Sequence, residues 1–188
     1  MHDEILEFWF GRPGTADYGS VRDGWFRKVA AFDAAIRDRF SAAIETALAG
    51  GFADWTAPRP ALAHILLLDQ FTRNAFRHTP RAFAGDGLAL RLAEAAVERD
   101  DDDQLIPVER WFVYLPFAHA ESPRAQERSL ERFRHLRDTT GLADPLVWAE
   151  RHAKVIQLFG RFPHRNAELG RESTPEEIAF LKTPGSRF

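Results

Sequence analysis

Asp69 and Arg73 lie four residues apart in the motif "DQFTRN", within a run that is otherwise strongly apolar. On a helix this spacing places both side chains on one face, together with Leu62 and Ile65. Isolated charges on such a face are costly to bury, so we expect the two residues to pair with each other or with another segment. The sequence therefore predicts a buried ion pair in the middle of this helix.

Histidines occupy two further apolar stripes. His119 follows Phe112 and Leu115 at helical spacing, and His152 lies between Trp148 and Phe159. Histidine changes protonation near neutral pH, and a binding or catalytic pocket gathers ionisable groups from several elements. The pattern predicts that three helices each direct an ionisable side chain toward the interior.

The segment "FGRFPHRNAELGRESTPEE", residues 159–177, is rich in arginine and polar side chains. Arginine offers planar, permanently charged donors that match a carboxylate or a phosphate, and asparagine both donates and accepts. We predict a central pocket that binds a small anionic ligand. The predicted ligand-binding residues are Asp69, Arg73, Asn74, His152, Arg161, His164, Arg165 and Asn166.

His119 and Glu121 are the predicted catalytic residues. Glu121 is the one carboxylate near these motifs, besides Asp69, that could act as a base. The two residues are separated by two positions, so their side chains diverge on an intact helix. We therefore predict no metal site and no cofactor, and whether the protein is an enzyme stays open.

A purely structural interpretation accounts for the same residues. A histidine on an apolar stripe is usually a satisfied core residue, and Asp69 with Arg73 can be a structural ion pair. Arg161, Arg165 and Asn166 can fasten helix carbonyls and the turn around Pro163. Both interpretations remain open on the sequence alone.

Helical periodicity runs through the whole chain, and no segment alternates with period two for long. A long helix is predicted from Trp25 to Leu48, ended by "GG" at 50–51. Pro116 is expected to kink or end the helix that carries His119. The pattern gives an all-α fold of seven or eight helices with short connections, hence helical hairpins, in one domain over residues 1–188.

The loop after the last long helix has clear boundaries. Gly160 predicts the helix end, Phe162 is expected to point inward, and "TPEE" at 174–177 is a capping box that starts another helix. The segments 69–74 and 160–166 echo each other, since each has Phe followed by Arg-Asn. We predict that these two segments lie against each other and that His119 lines the same region.

Composition narrows the function classes. The net charge of −3 gives no general attraction to nucleic acid or to an anionic membrane. The chain has no Cys, which excludes disulfides and thiolate chemistry, and its longest aliphatic run, 65–68, is too short to span a bilayer. We expect a soluble cytoplasmic protein without nucleic-acid or membrane partners, although the absence of Cys alone also suits the periplasm; the oligomeric state is left open.

The motifs "LLLDQFTRN", "TPRAFAGD", "LPFAHAES", "FGRFPHRN" and "LGRESTPEE" resemble the bacterial family called domain of unknown function 924, over nearly the whole chain. The resemblance implies a TPR-like stack of antiparallel helical hairpins, but no activity. Thr72 stands where the family pattern usually has Pro, which weakens the implication of a turn there. The resemblance singles out Asp69, Gln70, Arg73, Asn74, His119, Glu121, Arg161, His164, Arg165, Asn166 and Arg171.

A second function fits such a fold. A TPR-like module binds a peptide or protein on an open groove, and the polar motifs would then serve only the fold. Exposed aromatic side chains along a groove favour this function, whereas a closed polar pocket favours the anionic ligand.

Overall fold

The computed structural model describes residues 1–186, the side chain of Asp23 excepted. Over that part of the chain the fold is all-helical, with eight α-helices and no strand, which confirms the predicted class. Short 3₁₀ turns join several of them. The helices are α1 (His2–Phe10), α2 (Ala30–Leu48), α3 (58–75), α4 (Asp86–Glu98), α5 (Pro107–His119), α6 (Pro123–Thr140), α7 (Asp144–Phe159) and α8 (Pro175–Leu181).

The second helix begins at Ala30, so the predicted start at Trp25 is wrong. Trp25 ends a 3₁₀ turn instead, and its indole Nε1 donates to the carbonyl of Trp9 at 3.1 Å. Its ring also packs edge-on against Phe112, with 4.8 Å between the centroids. Burial of this indole in the core therefore fixes the chain ahead of α2. The predicted end is confirmed, since the helix stops at Leu48 and Gly50 adopts a φ of 83°.

The helix α3 contains a wide turn at its centre. Its backbone is α-helical over Pro58–Leu66, π-helical over Leu67–Phe71 and α-helical again over Thr72–Ala75. Thr72 does not interrupt the helix, because its hydroxyl donates to the carbonyl of Leu68 at 2.8 Å. Turns of this kind often occur at functional sites, and this one holds Asp69.

The helix α5 continues through Pro116 and ends at His119, so Pro116 does not terminate it. Consecutive helices pack side by side, α5 on α6 and α6 on α7, as helical hairpins do. Among the described residues, no helix is long and apolar enough to cross a membrane.

The loop after α7 has the predicted boundaries. Gly160 is left-handed with a φ of 69° and ends the helix, and Phe162 is fully buried. Thr174 and Glu177 form the expected capping box of α8, with Glu177 N donating to Thr174 Oγ1 at 3.2 Å. One interior assignment is wrong, because Trp148 is 47% exposed rather than buried.

Candidate functional site

Asp69 is fully buried at the centre of a polar cluster. Its carboxylate accepts from His119 Nδ1 at 2.7 Å and from Gln70 Nε2 at 2.6 Å. Arg73 NH1 lies 3.2 Å from the same carboxylate, as the spacing of the two residues predicts. Burial raises the pKa of Asp69, but Arg73 and His119 outweigh it and hold that pKa below its ordinary value. Asp69 is therefore an ionised, acceptor-only group.

Asp86 joins two arginines from distant parts of the chain. Arg73 donates to it through both terminal nitrogens, at 2.7 and 3.0 Å, and Arg165 NH1 donates to it at 3.1 Å. Arg165 NH2 also donates to the backbone carbonyl of His119 at 3.0 Å. Segments 69–74 and 160–166 thus meet at Asp86 and His119, as the echo between them predicts. We call Asp69, Arg73, Asp86, His119 and Arg165 the central cluster.

The position of Asp86 depends on a close backbone approach by Gly85. A Cβ on Gly85 would lie 2.2 Å from the carbonyl oxygen of Leu68, which belongs to the π-helical turn. Only glycine lets the start of α4 pack this closely on α3. The contact brings Asp86, in the first turn of α4, within reach of Arg73.

Arg165 is buried between two aromatic rings. Its guanidinium lies 4.7 Å from the centroid of Phe83 and 4.5 Å from that of Phe162, and its side chain is only 7% exposed. Its Nε has no hydrogen-bond partner among the described residues. Burial and the neighbouring charge of Arg73 lower the pKa of Arg165 to about 10, against the attraction of Asp86. Its positive charge is therefore incompletely compensated.

Three histidines surround these arginines. The rings of His119 and His152 lie 5.8 Å apart, and His152 Nδ1 is 2.7 Å from the carbonyl of Trp148. Burial, followed by the proximity of the His119 imidazole, lowers the pKa of His152 to about 3. Burial and Arg165 lower the pKa of His164 to about 3 as well. Both rings are neutral at neutral pH, in a region of positive potential.

His119 has a fixed proton arrangement. Because Asp69 is ionised, Nδ1 of His119 carries the proton of their hydrogen bond and Nε2 carries a lone pair. Burial lowers the pKa of His119, and the carboxylate of Asp69 opposes this. The ring is thus poised as a proton acceptor, held in orientation by a buried carboxylate.

Asn74 lies outside the central cluster. Its amide donates to Asp33 of α2 at 2.7 Å, and Arg77 donates twice to the same carboxylate at 2.8 Å. The predicted ligand-binding residue therefore belongs to a separate ion-pair group, which fastens the end of α3 to α2. Its position five residues after Asp69 turns it to another side of the helix.

Glu121 fastens the loop that follows α7. Its carboxylate accepts from Arg171 at 2.6 and 2.9 Å and from the backbone N of Phe162 at 2.7 Å. Burial raises the pKa of Glu121, but the bonds from Arg171 and Phe162 lower it overall. A carboxylate with these donors is a weak base. The contacts of Glu121 therefore support a structural role in holding the loop, as an alternative to the predicted catalytic role.

Arg161 and Asn166 meet at Glu177 of α8. Arg161 donates to this carboxylate through Nε and NH2 at 2.7 and 2.8 Å, and Asn166 Nδ2 donates at 3.1 Å. Arg171 Nε donates in turn to Asn166 Oδ1 at 3.0 Å. These residues hold the loop and α8 together through the carboxylate of Glu177, whereas the structural interpretation expects helix carbonyls and the turn around Pro163 as their partners.

Solvent reaches part of the central cluster. The side chains of Arg73 and Asp86 are each 19% exposed, and that of His119 is 13% exposed.

Two cavities lie elsewhere: one of about 390 Å³ between α4 and α6, and one of about 660 Å³ beside Arg161 and Glu177. In the described part of the chain, no three His, Asp or Glu side chains are arranged to hold a metal ion.

Comparison with known proteins identifies the family. Residues 5–185 match the family described as "Bacterial protein of unknown function (DUF924)". The chain belongs to the DUF924 family. It is similar to a solved structure, "Structure of Protein of Unknown Function ATU0120 from Agrobacterium tumefaciens", with 40% identity, a TM-score of 0.84 and 96% of each chain covered. No curated protein matches the sequence. The resemblance read from the motifs is confirmed.

Sequence reasoning missed two residues that contact the arginines of the central cluster in this DUF924 protein. Asp86 stands at the end of the motif "TPRAFAGD" and is not among the predicted site residues. One feature of the sequence could have indicated Asp86: it directly follows Gly85 in a motif that this chain has in common with the family. Phe83 was also missed, because an aromatic ring in a turn does not reveal that it stacks on a guanidinium.

Proposed function

We propose that the central cluster binds a small anionic ligand through Arg165, beside His119 as the proton-transferring group. The observation that carries the proposal is the incomplete pairing of Arg165: it is buried, shares Asp86 with Arg73, and has no partner for Nε among the described residues. A buried guanidinium favours a carboxylate or phosphate as a further partner.

The balance of charges supports an anion rather than a cation. Asp69 already accepts from two donors and is ion-paired with Arg73, and Asp86 accepts from both arginines. Burial, with the positive charge of Arg165 as a further cause, lowers the pKa values of His152 and His164, so both neighbouring imidazoles are neutral. A bound anion would offset this positive charge, whereas a bound cation would add to it.

The His119–Asp69 pair gives the site a means of moving a proton. A buried carboxylate that accepts from Nδ1 holds the imidazole in one tautomer and leaves Nε2 as the base, the arrangement found in many general-base sites. His119 is partly exposed, so a ligand on Arg165 can reach it. This is the catalytic role that we propose for His119.

Matched methionine variants test the proposal. Phosphate, sulfate and acetate should each raise the melting temperature of the parent protein, and Arg165→Met should abolish the effect while leaving the fold nearly as stable or more so. Arg161→Met is the control: it leaves Glu177 without its main partner, so it should lower stability yet keep the anion effect. Equal anion effects in the parent and in Arg165→Met would refute the proposal.

Exposed apolar side chains favour a second candidate, an interaction module of TPR-like architecture. Val147, Trp148 and Leu158 on α7 and Ile178 on α8 are each at least 46% exposed. Val147 and Leu158 lie three helical turns apart on one face. In a pull-down, Trp148→Ser combined with Leu158→Ser should lose a protein partner that the parent chain retains. Retention of that partner by the double variant would exclude this surface.

A further inference from the structure

We infer that the anion selected by the central cluster carries a hydroxyl group next to its charged oxygens, as hydrogen phosphate and 2-hydroxycarboxylates do. The hydroxyl would donate to Nε2 of His119 while a charged oxygen accepts from Arg165. This inference rests on the proposed function, and it defines the class of ligand beyond its charge.

The first step is the fixed tautomer of His119. Asp69 is fully buried, accepts from Gln70 and His119 and is ion-paired with Arg73, so it is ionised and has no proton to give. Nδ1 of His119 must then be the donor at 2.7 Å, which leaves Nε2 as a lone pair. A ligand atom that meets Nε2 must therefore supply the hydrogen of any bond between them.

The second step is the closeness of His119 and Arg165. The guanidinium donates to the backbone carbonyl of His119 at 3.0 Å, and we place the bound anion where it meets both this guanidinium and Nε2 of His119. Sulfate and a simple carboxylate have no hydrogen to donate, so each would place an oxygen lone pair against the lone pair of Nε2. A site built to accept a hydroxyl rejects the analogue that lacks it, because a buried polar atom is left without a partner.

The third step is that the surroundings keep His119 neutral. Burial and the positive charge of Arg73 disfavour its protonated form, against the attraction of Asp69 and Asp86. Arg73 forms ion pairs with both carboxylates of the cluster, Asp69 and Asp86, so neither carboxylate is a partner of His119 alone. The ionisable groups around the ring are Asp69 and Arg73 on α3, Asp86 on α4, His152 on α7, and His164 and Arg165 in the loop after α7.

Two matched pairs of ligands test the inference by isothermal titration at pH 7.5. Phosphate should bind at least about tenfold more tightly than sulfate, and lactate at least about tenfold more tightly than propionate, because only the first of each pair can donate to Nε2. If only phosphate is preferred over sulfate, the ligand is a phosphoryl compound. If only lactate is preferred over propionate, the ligand is a hydroxy acid. Equal affinities within both pairs overturn the inference and leave the proposed function standing.

Variants separate the two claims. His119→Phe should keep weak binding through Arg165 but lose both preferences, whereas Arg165→Met should lose all four ligands. Arg81→Met removes an exposed arginine paired with Glu45 and should change none of the affinities. If no ligand binds the parent chain, the proposed function itself fails, and the inference fails with it.

A measurement on the parent chain covers the case in which His119→Phe does not fold. Propionate can satisfy Nε2 only if the ring takes up a proton, so its binding should consume up to one proton per site, whereas lactate binding should consume almost none. Titration in two buffers of different ionisation enthalpy measures this uptake. The same uptake for both ligands would overturn the inference.

Discussion

Asp69 accepts hydrogen bonds from two helices and has no exposed surface. Asp69→Ala should lower the free energy of unfolding by about 3–5 kcal/mol, because Arg73 and Gln70 lose a buried partner. Urea unfolding measures the change. Asp138→Ala, at an exposed carboxylate of α6, should stay within about 0.5 kcal/mol of the parent. A similarly small change for Asp69→Ala would mean that the ion pair contributes little.

Residue identity alone does not separate Arg161 from Arg165. Both belong to one motif, yet Arg161 meets Glu177, sixteen residues away, whereas Arg165 meets Asp86, seventy-nine residues away. The nearer carboxylate, Glu177, lies in a capping box that is visible in the sequence, so its contact with the loop could be predicted. The distant one depends on how α3 and α4 pack, and no local pattern gives that packing.

At the scale of elements, Gly85 controls how closely α4 approaches α3. Gly85→Ala should lower the free energy of unfolding by about 1–3 kcal/mol, because its Cβ would collide with the backbone of Leu68. Gly87→Ala is the matched control in the same helix: its Cβ has room, so it should stabilise by about 0.5–1 kcal/mol. Thermal unfolding of the two variants compares them, and changes of the same sign would contradict this account.

Element boundaries were predictable where a backbone group needs a particular residue. Gly160 and Thr174 mark a helix end and a helix start by chemistry that is visible in the sequence. The start of α2 carries no such signal, since Val29 precedes it without a side-chain cap, and Trp25 was wrongly placed in the helix. The π-helical turn also has no local signature, because it depends on what packs against α3.

For the whole molecule, acid should weaken the fold before most carboxylates titrate. The pKa values of His152 and His164 lie at about 3, below the 6.5 of an unfolded chain. The unfolded chain then binds protons that the native state does not, so stability falls as the pH decreases below about 6.5. Between pH 7 and 5 each histidine should contribute a loss of about 2 kcal/mol.

Denaturant unfolding across this pH range measures the effect. His152→Phe should remove its own share of the fall between pH 7 and 5, about 2 kcal/mol, whereas His78→Gln, at an exposed histidine, should leave the fall unchanged. A stability that does not vary between pH 7 and 5 in the parent chain would show that these imidazoles protonate freely in the native state.

The wide turn in α3 determines where this helix can lose a residue. A π turn holds about one residue more than an α turn, so an in-frame deletion of one residue within Leu67–Phe71 would let the backbone become regular. Because the wide turn fits that extra residue into about the same rotation, the helix beyond the deletion would keep its facing toward α4 and α2. Arg73 would still face Asp86 and Asn74 would still face Asp33. Provided that Asp69 is kept, this segment is therefore the part of α3 where losing a single codon triplet does the least damage.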